Sequence, residues 1–136
     1  SIGPGFGLAA ALGTDRLAVG DPATVPAGRY AKDALTNLGV WNSVANRLAP
    51  TENVRAVLLL VSRGETPLGI VYRTDALVDN GGTIVGQFPA SSHAPIVYPA
   101  ALTSASSAGA EAALAFLRGA AAKVVFERMG FRVLVK

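Results

Sequence analysis

Short apolar runs alternate with segments of helical spacing along most of this chain. Leu17–Val19 precede a Gly-Asp-Pro turn and Leu68–Tyr72 follow Pro67, a pattern typical of buried strands bounded by turns. Segments of helical periodicity lie between these runs. Because parallel strands need crossover connections, the alternation predicts an α/β fold with a mixed, partly parallel sheet flanked by helices.

The helical segments carry recognisable starts and ends. Pro26 stands where a first helical residue is favoured and Gly39 closes the segment, with apolar residues on one face at Ala27, Ala31, Ala34, Leu35 and Leu38. Thr51 is the predicted N-cap of a second helix that runs to Gly64, with its face at Val54, Val57, Leu58 and Val61. A shorter helical segment over Trp41, Val44 and Leu48 is predicted to end at Pro50.

The rest of the chain is less regular. Residues 1–13 are Gly-rich and are predicted to be a connection, and Asn80-Gly81-Gly82 is a predicted turn. Further strands are predicted over Thr83–Phe88, Ala94–Leu102 and Phe131–Val135, the second of them broken by prolines. Two helical faces are predicted near the end, one at Ala110, Ala113, Leu114 and Leu117 and one at Val125, Phe126 and Met129.

Composition excludes several classes of protein. The chain has 51% hydrophobic and 15% charged residues, so it can bury a core. Its basic residues are scattered despite a net charge of +3, which argues against a nucleic-acid partner. The apolar run Ala56–Val61 is far shorter than the ~20 residues of a membrane span. There is no cysteine and only one histidine, so thiolate chemistry and histidine metal clusters are not expected.

Two predicted helix starts offer candidate anion sites. The N–H groups just after Pro26 lack partners within the helix, and Gly28 would let a ligand approach the backbone. At the second start the corresponding N–H groups are those of Asn53 and Val54. Every helix has such an end, however, and most of them hold water or their own cap. The pattern alone therefore leaves both interpretations open.

Tyr72 ends a predicted strand, so its hydroxyl should emerge at the same sheet edge and could donate one hydrogen bond to an anion. The alternative is a tyrosine that closes the core with its hydroxyl in water. Arg29 and Arg55 follow the two helix starts and could add positive charge there. The favoured interpretation is that both arginine side chains point into solvent.

The remaining polar residues do not suggest an enzyme. His93 is expected in a surface loop, and Asp21 and Asp75 are expected to cap backbone groups at turns. Asp79 is likewise a single carboxylate, and no pair or nucleophile–base set points to catalysis. The glycines of residues 3–7 lack the preceding strand of a dinucleotide fingerprint.

At these same positions the sequence resembles a known family. Residues 17–35, LAVGDPATVPAGRYAKDAL, look like the periplasmic molybdate-binding proteins, the solute receptors of molybdate ABC importers. The resemblance continues through residues 52–56, 67–72, 74–76, 93–99 and 126–131 and covers essentially the whole chain in the family's order. The Gly-Asp-Pro…Val-Pro-Ala-Gly motif is the specific part of the match.

The resemblance implies one lobe of a type II periplasmic binding protein fold and a non-enzymatic role. It implies that the backbone N–H groups of Ala27 and Val54 and the hydroxyl of Tyr72 contact a small oxyanion, molybdate or tungstate. No arginine, lysine, cofactor or direct metal ligand takes part, so selection against sulfate would depend on cavity size. The implied partner is a membrane ABC permease, and the implied location is the periplasm.

The sequence also departs from the family pattern. Family members begin with a further lobe that carries additional serine contacts to the ligand. The chain starts Ser1-Ile2-Gly3, which suggests the interior of something longer. We therefore expect residues 1–100 to form the second lobe with half of the site. Residues 101–136 are expected to be the segment that in the family returns to the first lobe.

Two functional expectations follow. The first is an oxyanion receptor with an incomplete site and weak or no binding. The alternative is a module that oligomerises through its C-terminal helices, with exchange of the C-terminal segment between copies as one form. It is expected because two apolar helix faces would lack a surface to cover them. These faces carry Leu114, Leu117, Val125, Phe126 and Met129.

Overall fold

The computed structural model describes residues 1–134, which fall into two compact units, Ser1–Pro95 and a second unit that begins at Ile96. None of the helices in the described residues is long and apolar enough to cross a bilayer. The elements in chain order are α1 (Leu8–Leu12), β1 (Leu17–Gly20), α2 (Pro26–Asn37), α3 (Trp41–Val44), β2 (Leu48–Thr51), α4 (Val54–Ser62), β3 (Leu68–Ile70), α5 (Arg73–Ala76), α6 (Ala108–Leu117) and α7 (Ala120–Arg128).

The first unit is organised by a small parallel sheet in the order β2-β1-β3. Leu17 of β1 is paired with Leu48 on one side and with Leu68 on the other. All four residues of β1 are buried, as expected for the central strand of a covered parallel sheet. The predicted α/β class with parallel strands and crossover helices is confirmed.

Helix α2 follows its sequence pattern closely. It begins at Pro26, and its buried face contains Ala27, Gly28, Ala31, Ala34 and Leu35. Gly39 lies just beyond its end with a φ of 74°, a left-handed conformation that glycine adopts without steric cost. The start, the stop and the apolar face of this helix are therefore confirmed as predicted.

The core of the first unit includes a segment that the sequence did not identify as structured. Residues 1–13 were expected to be a connection, but α1 lies within them and buries Leu8 and Leu12. These two side chains join a cluster that also contains Leu17, Leu35, Leu38, Val40 and Val44. The expectation was wrong because the helix is a single short turn that packs on distant residues, which local spacing does not reveal.

Four predicted elements differ in the structure. Leu48, expected at the end of a helical segment, begins β2, and the preceding helix ends at Val44. Thr83–Phe88 and Ala94–Leu102 form no strand, although both contain the β-branched residues isoleucine and valine. Phe131–Leu134 is likewise without a strand partner, and Val135 lies outside the described residues. Strand composition predicts extended backbone in these segments but does not supply the partner that a sheet requires.

The second unit contains the two helices predicted near the end of the chain. Helices α6 and α7 are separated by Arg118 and Gly119, and the described part of this unit also has two edge-to-face aromatic pairs. The ring of Phe131 lies 5.8 Å from that of Tyr98 and 6.0 Å from that of Phe126. Many of its large apolar side chains are nevertheless exposed, among them Phe116, Leu117, Val124, Val125 and Met129.

Candidate functional site

The three predicted ligand residues follow the carboxyl ends of three neighbouring parallel strands. β1 ends at Gly20, β2 at Thr51 and β3 at Ile70, and Gly20 is the register partner of Thr51. The chain then leads to Ala27 in α2, to Val54 in α4 and to Tyr72 before α5. Ligands of open α/β sheets bind at this edge, beside the starts of the helices that follow.

Ala27 is the second residue of α2 and is buried, with 5% of its surface exposed. Because Pro26 has no N–H group, the first backbone donors of this helix are those of Ala27 and Gly28. The N-cap residue Val25 makes no side-chain cap bond. The first backbone hydrogen bond of the helical pattern is the one in which the Arg29 N–H donates to Val25 O at 3.1 Å. This helix start therefore presents backbone donors that its own cap does not satisfy.

Gly28 lets α2 approach the end of β1 more closely than any other residue would allow. A Cβ at this position would overlap the carbonyl oxygen of Gly20. A Cβ at Gly20 would in turn lie 2.7 Å from Cγ1 of Val25. The sequence suggested that Gly28 admits a ligand, whereas the structure shows that it admits the backbone of β1. Its contribution to the site is to seat the first turn of α2 against the sheet.

The loop between β1 and α2 is held by several hydrogen bonds. The Asp21 N–H donates to Thr51 O at 2.8 Å, and Asp21 Oδ1 accepts from the Ala23 N–H at 2.8 Å, which confirms the predicted capping role of Asp21. The guanidinium of Arg29 donates to Ala23 O at 3.1 Å from an exposed position. Arg29 therefore braces this loop from the outside and does not simply extend into solvent.

Val54 is the first residue of α4, but the cap of this helix is not the one predicted. Thr51 is the last residue of β2, and Asn53 is the N-cap, with its Oδ1 accepting from the Ala56 N–H at 2.9 Å. The prediction failed because both residue types are good caps, while asparagine ranks above threonine. Consequently, the N–H groups of Val54 and Arg55 are the donors in the first turn of α4. The N–H group of Asn53 lies before the helix begins.

Thr51 instead links the two helix starts. Its hydroxyl lies 3.3 Å from Val19 O in β1 and 2.9 Å from Asn53 O at the cap of α4. Its backbone oxygen accepts from Asp21 at the beginning of the first loop. Sequence reasoning missed this role because it depends on the pairing of β1 with β2, two segments about thirty residues apart.

Tyr72 is half-buried and lies two residues beyond the end of β3, where it is the N-cap residue of the short helix α5. Its backbone oxygen accepts from the N–H groups of Asp75 and Ala76, each at 3.1 Å. Tyr72 was expected to end the strand itself. The strand is shorter than predicted, yet the residue still follows the carboxyl end of β3.

The charged groups near this edge are peripheral. Arg55 is exposed and borders an open cavity of about 300 Å³ together with Leu58, Val78 and two carboxylates, Asp75 and Asp79. Asp75 was expected to cap a backbone N–H group. In this part of the chain the carboxylate that accepts from a backbone N–H group is that of Asp79, whose Oδ1 accepts from the Gly81 N–H at 2.7 Å. The favoured interpretation of Arg55 as a surface residue agrees with its exposure.

His93 lies in a loop, as predicted, although part of its side chain packs against neighbouring residues. It is half-buried, its ring lies 6.0 Å from that of Tyr30, and its Nδ1 is 2.8 Å from Ala94 O. This packing gives the residue a structural role after the 3₁₀ turn at Ala90–Ser92. Among the described residues no group of three or more histidine, cysteine, aspartate or glutamate side chains is arranged to hold a metal ion.

A small parallel sheet flanked by helices matches the fold of a periplasmic binding protein, and its extent is consistent with one lobe. Residues 6–132 match the sequence profile of the bacterial extracellular solute-binding proteins, and the chain belongs to this family. The family consists of binding proteins, in agreement with the prediction of a non-enzymatic role.

Two curated relatives of the chain are named as molybdate-binding proteins. The chain is 46% identical to that of Escherichia coli over 123 residues and 48% identical to that of Haemophilus influenzae over 122 residues. These alignments cover 90% and 89% of this chain and 48% of each relative, so the chain spans about half the length of the curated relatives it matches.

A solved structure shares the fold. The substrate-binding domain assigned to a molybdenum ABC transporter from Clostridium difficile superimposes with a TM-score of 0.78 at 28% identity. The superposition covers 98% of this chain and 59% of that domain. The one-lobe fold class predicted from the sequence is thereby confirmed.

Proposed function

We propose that this chain supplies one side of an oxyanion site that takes molybdate or tungstate. The donors are the backbone N–H groups of Ala27 and Val54 and the hydroxyl of Tyr72. The observation that carries the proposal is their common position after the carboxyl ends of three adjacent parallel strands. Helix N-termini favour anions through free N–H groups and the helix dipole, so no arginine or lysine is required.

The proposed role is that of a solute receptor in the periplasm that delivers the anion to a membrane ABC permease. The names of the relatives from Escherichia coli and Haemophilus influenzae support the choice of ligand. The oxyanion is the cargo, and no resident cofactor is proposed. Because neutral donors bind similar tetrahedral anions alike, preference for molybdate or tungstate over sulfate rests on the size of the cavity.

The affinity of these 136 residues alone is proposed to be weak. We assign residues 1–100 to one lobe and residues 101–136 to a segment that returns to the opposite lobe. Receptors of this class close two lobes around a ligand, and the three donors above all belong to one of them. Each missing hydrogen bond to a charged ligand costs about 1.5–3 kcal/mol.

Separate calorimetric titrations of the chain with molybdate, tungstate, sulfate and phosphate test this proposal. We expect weak binding of molybdate and tungstate and weaker binding of the other two. Submicromolar affinity would contradict the one-sided site, and equal affinity for all four anions would contradict the assigned ligand.

A matched pair of variants identifies the donors. Tyr72→Phe removes one hydroxyl donor and should weaken molybdate binding, whereas Arg55→Ala should leave it nearly unchanged. If the arginine variant lost binding and the phenylalanine variant kept it, the anion would be held by charge and the proposed donor set would be wrong.

A second candidate function is self-association through α6 and α7. The observation that favours it is the exposure of apolar side chains in the second unit, with Phe116 63% and Val125 49% exposed. Exposed apolar surface of this kind promotes association. The proposed partner is a second copy of this chain, with exchange of the C-terminal segment as one form.

Light scattering over a range of protein concentrations distinguishes the two functions. A concentration-dependent oligomer that ignores molybdate supports the assembly module. A monomer at every concentration whose C-terminal segment is rapidly cut by protease contradicts it.

A further inference from the structure

The turn after α5 brings together three groups that the oxyanion site does not use. Asp79, Asn80 and Gly81 are consecutive, and Asn80 and Gly81 are exposed to solvent. The backbone N–H of Gly81 donates to Asp79 Oδ1 at 2.7 Å. A carboxylate therefore accepts the hydrogen of the nitrogen that immediately follows an asparagine.

That nitrogen is the nucleophile of a known side reaction of asparagine. The amide carbon of an asparagine side chain can be attacked by the next backbone nitrogen, which closes a cyclic imide and makes asparagine thermally labile. Glycine in the next position hinders the attack least because it has no Cβ. At Asn80 the attacking nitrogen is that of Gly81, and Asp79 is in position to receive its proton.

We propose that Asn80–Gly81 is a self-modification site at which Asp79 acts as the general base. The Gly81 nitrogen forms a bond to Cγ of Asn80 as its proton passes to the Asp79 carboxylate. The bond from Cγ to Nδ2 then breaks, and the side-chain nitrogen takes that proton and leaves as ammonia. Water opens the cyclic imide at either carbonyl and gives aspartate or isoaspartate.

The surroundings of Gly81 explain why this labile pair would alter its own loop. A Cβ on Gly81 would overlap Cβ of Ser62, so the turn packs directly against the last turn of α4. The isoaspartate product lengthens the backbone by one methylene group at this close contact. Both products also add a carboxylate next to Asp79, which borders the cavity shared with Arg55.

The test is incubation of the full chain at neutral pH and physiological temperature, followed by peptide mapping with detection of isoaspartate. We expect a mass increase of one unit at Asn80 that develops several-fold faster than at Asn42. Asn42 is a matched internal control because the N–H of the next residue, Ser43, is bonded to Val40 O at 3.1 Å. Asn80→Gln should abolish the conversion at position 80.

The role of Asp79 is tested by Asp79→Asn, which keeps an oxygen that can accept the Gly81 N–H but is not a base. We expect conversion of Asn80 to slow several-fold, with circular dichroism showing that the variant remains folded. An unchanged or faster rate would overturn the role of Asp79. Conversion in denaturant but none in the folded chain would overturn the site itself, because the turn would then protect the asparagine.

Discussion

The two compact units of this chain differ in how far they bury their apolar side chains. In the first unit the central strand and the inner face of α2 are buried, and Leu35 is 0% exposed. In the second unit, α6 and α7 have Leu117 43% and Val124 66% exposed. Helices α2, α6 and α7 were all predicted from the sequence, so a correct helix prediction does not by itself indicate where a buried core will form. A buried parallel sheet, which the first unit has, provides the surface on which helices can pack.

The largest contrast should come from truncating one leucine in each unit. Leu35→Ala leaves a cavity in the core cluster and should lower the free energy of unfolding by about 2–5 kcal/mol. Leu117→Ala removes a half-exposed side chain and should cost less than about 1 kcal/mol. Urea unfolding followed by circular dichroism measures both. Equal losses would show that the helices of the second unit are as well packed as the sheet.

Gly28→Ala tests the packing of the first unit at a residue that also lies beside the proposed oxyanion site. The new Cβ would overlap Gly20 O and should lower the free energy of unfolding by about 1–3 kcal/mol. The first turn of α2 must shift, so molybdate binding should weaken as well. Gly109→Ala is the matched control in α6, where a Cβ meets only Ser107 Oγ at 3.7 Å. If both variants were equally stable, close seating of α2 would not matter.

Arg47 tests how the first unit holds its short N-terminal helix. Its guanidinium donates to Gly13 O at 2.6 Å and to Asp15 O at 2.7 Å, just beyond the end of α1. Arg47→Ala should lower the free energy of unfolding by about 1–2 kcal/mol, because several carbonyls lose a charged donor. Arg63→Ala is the control, since its ion pair with Glu65 at 3.8 Å is exposed and worth at most about 1 kcal/mol. A larger loss for Arg63→Ala would contradict this account.

Thr66 gives the smallest expected effect and tests a defect within the better-packed unit. Its hydroxyl is buried without a hydrogen-bond partner among the described residues. Thr66→Val replaces this hydroxyl by a methyl group and should change the free energy of unfolding by less than about 1 kcal/mol, toward greater stability. Thr66→Ser keeps the hydroxyl, loses the methyl group and should be less stable than the valine variant. A clear destabilisation by valine would indicate a bound water or another partner for the hydroxyl.

Local signals explain which parts of the fold were predictable from the sequence. Helix α2 has its start at Pro26, its stop at Gly39 and its apolar face within one short segment, and all three were predicted. Strand β2 was missed because Pro50 lies inside it and its partner, β1, is distant in sequence. Proline is tolerated there because β2 is an edge strand, a fact that only the sheet order reveals.

The candidate site was predictable to a similar degree. Ala27 and Tyr72 were predicted to follow strands, and Val54 was predicted at a helix start without the strand β2 that precedes it. The choice of these three residues as ligand donors came from the family resemblance and stays a prediction. The cap at Asn53 and the bridging hydroxyl of Thr51 were not predicted. Those contacts depend on where β2 ends relative to β1, and no spacing within one segment contains that information.

The central claim is that neutral donors at one sheet edge bind the oxyanion, and amide NMR during a molybdate titration tests it most directly. We expect the largest shifts at the N–H groups of Ala27 and Val54, with smaller shifts when sulfate replaces molybdate. The amides of α6 and α7 should change little. Shifts centred on arginine-bearing surfaces, or no shift at Ala27 and Val54 when other amides respond, would contradict the claim.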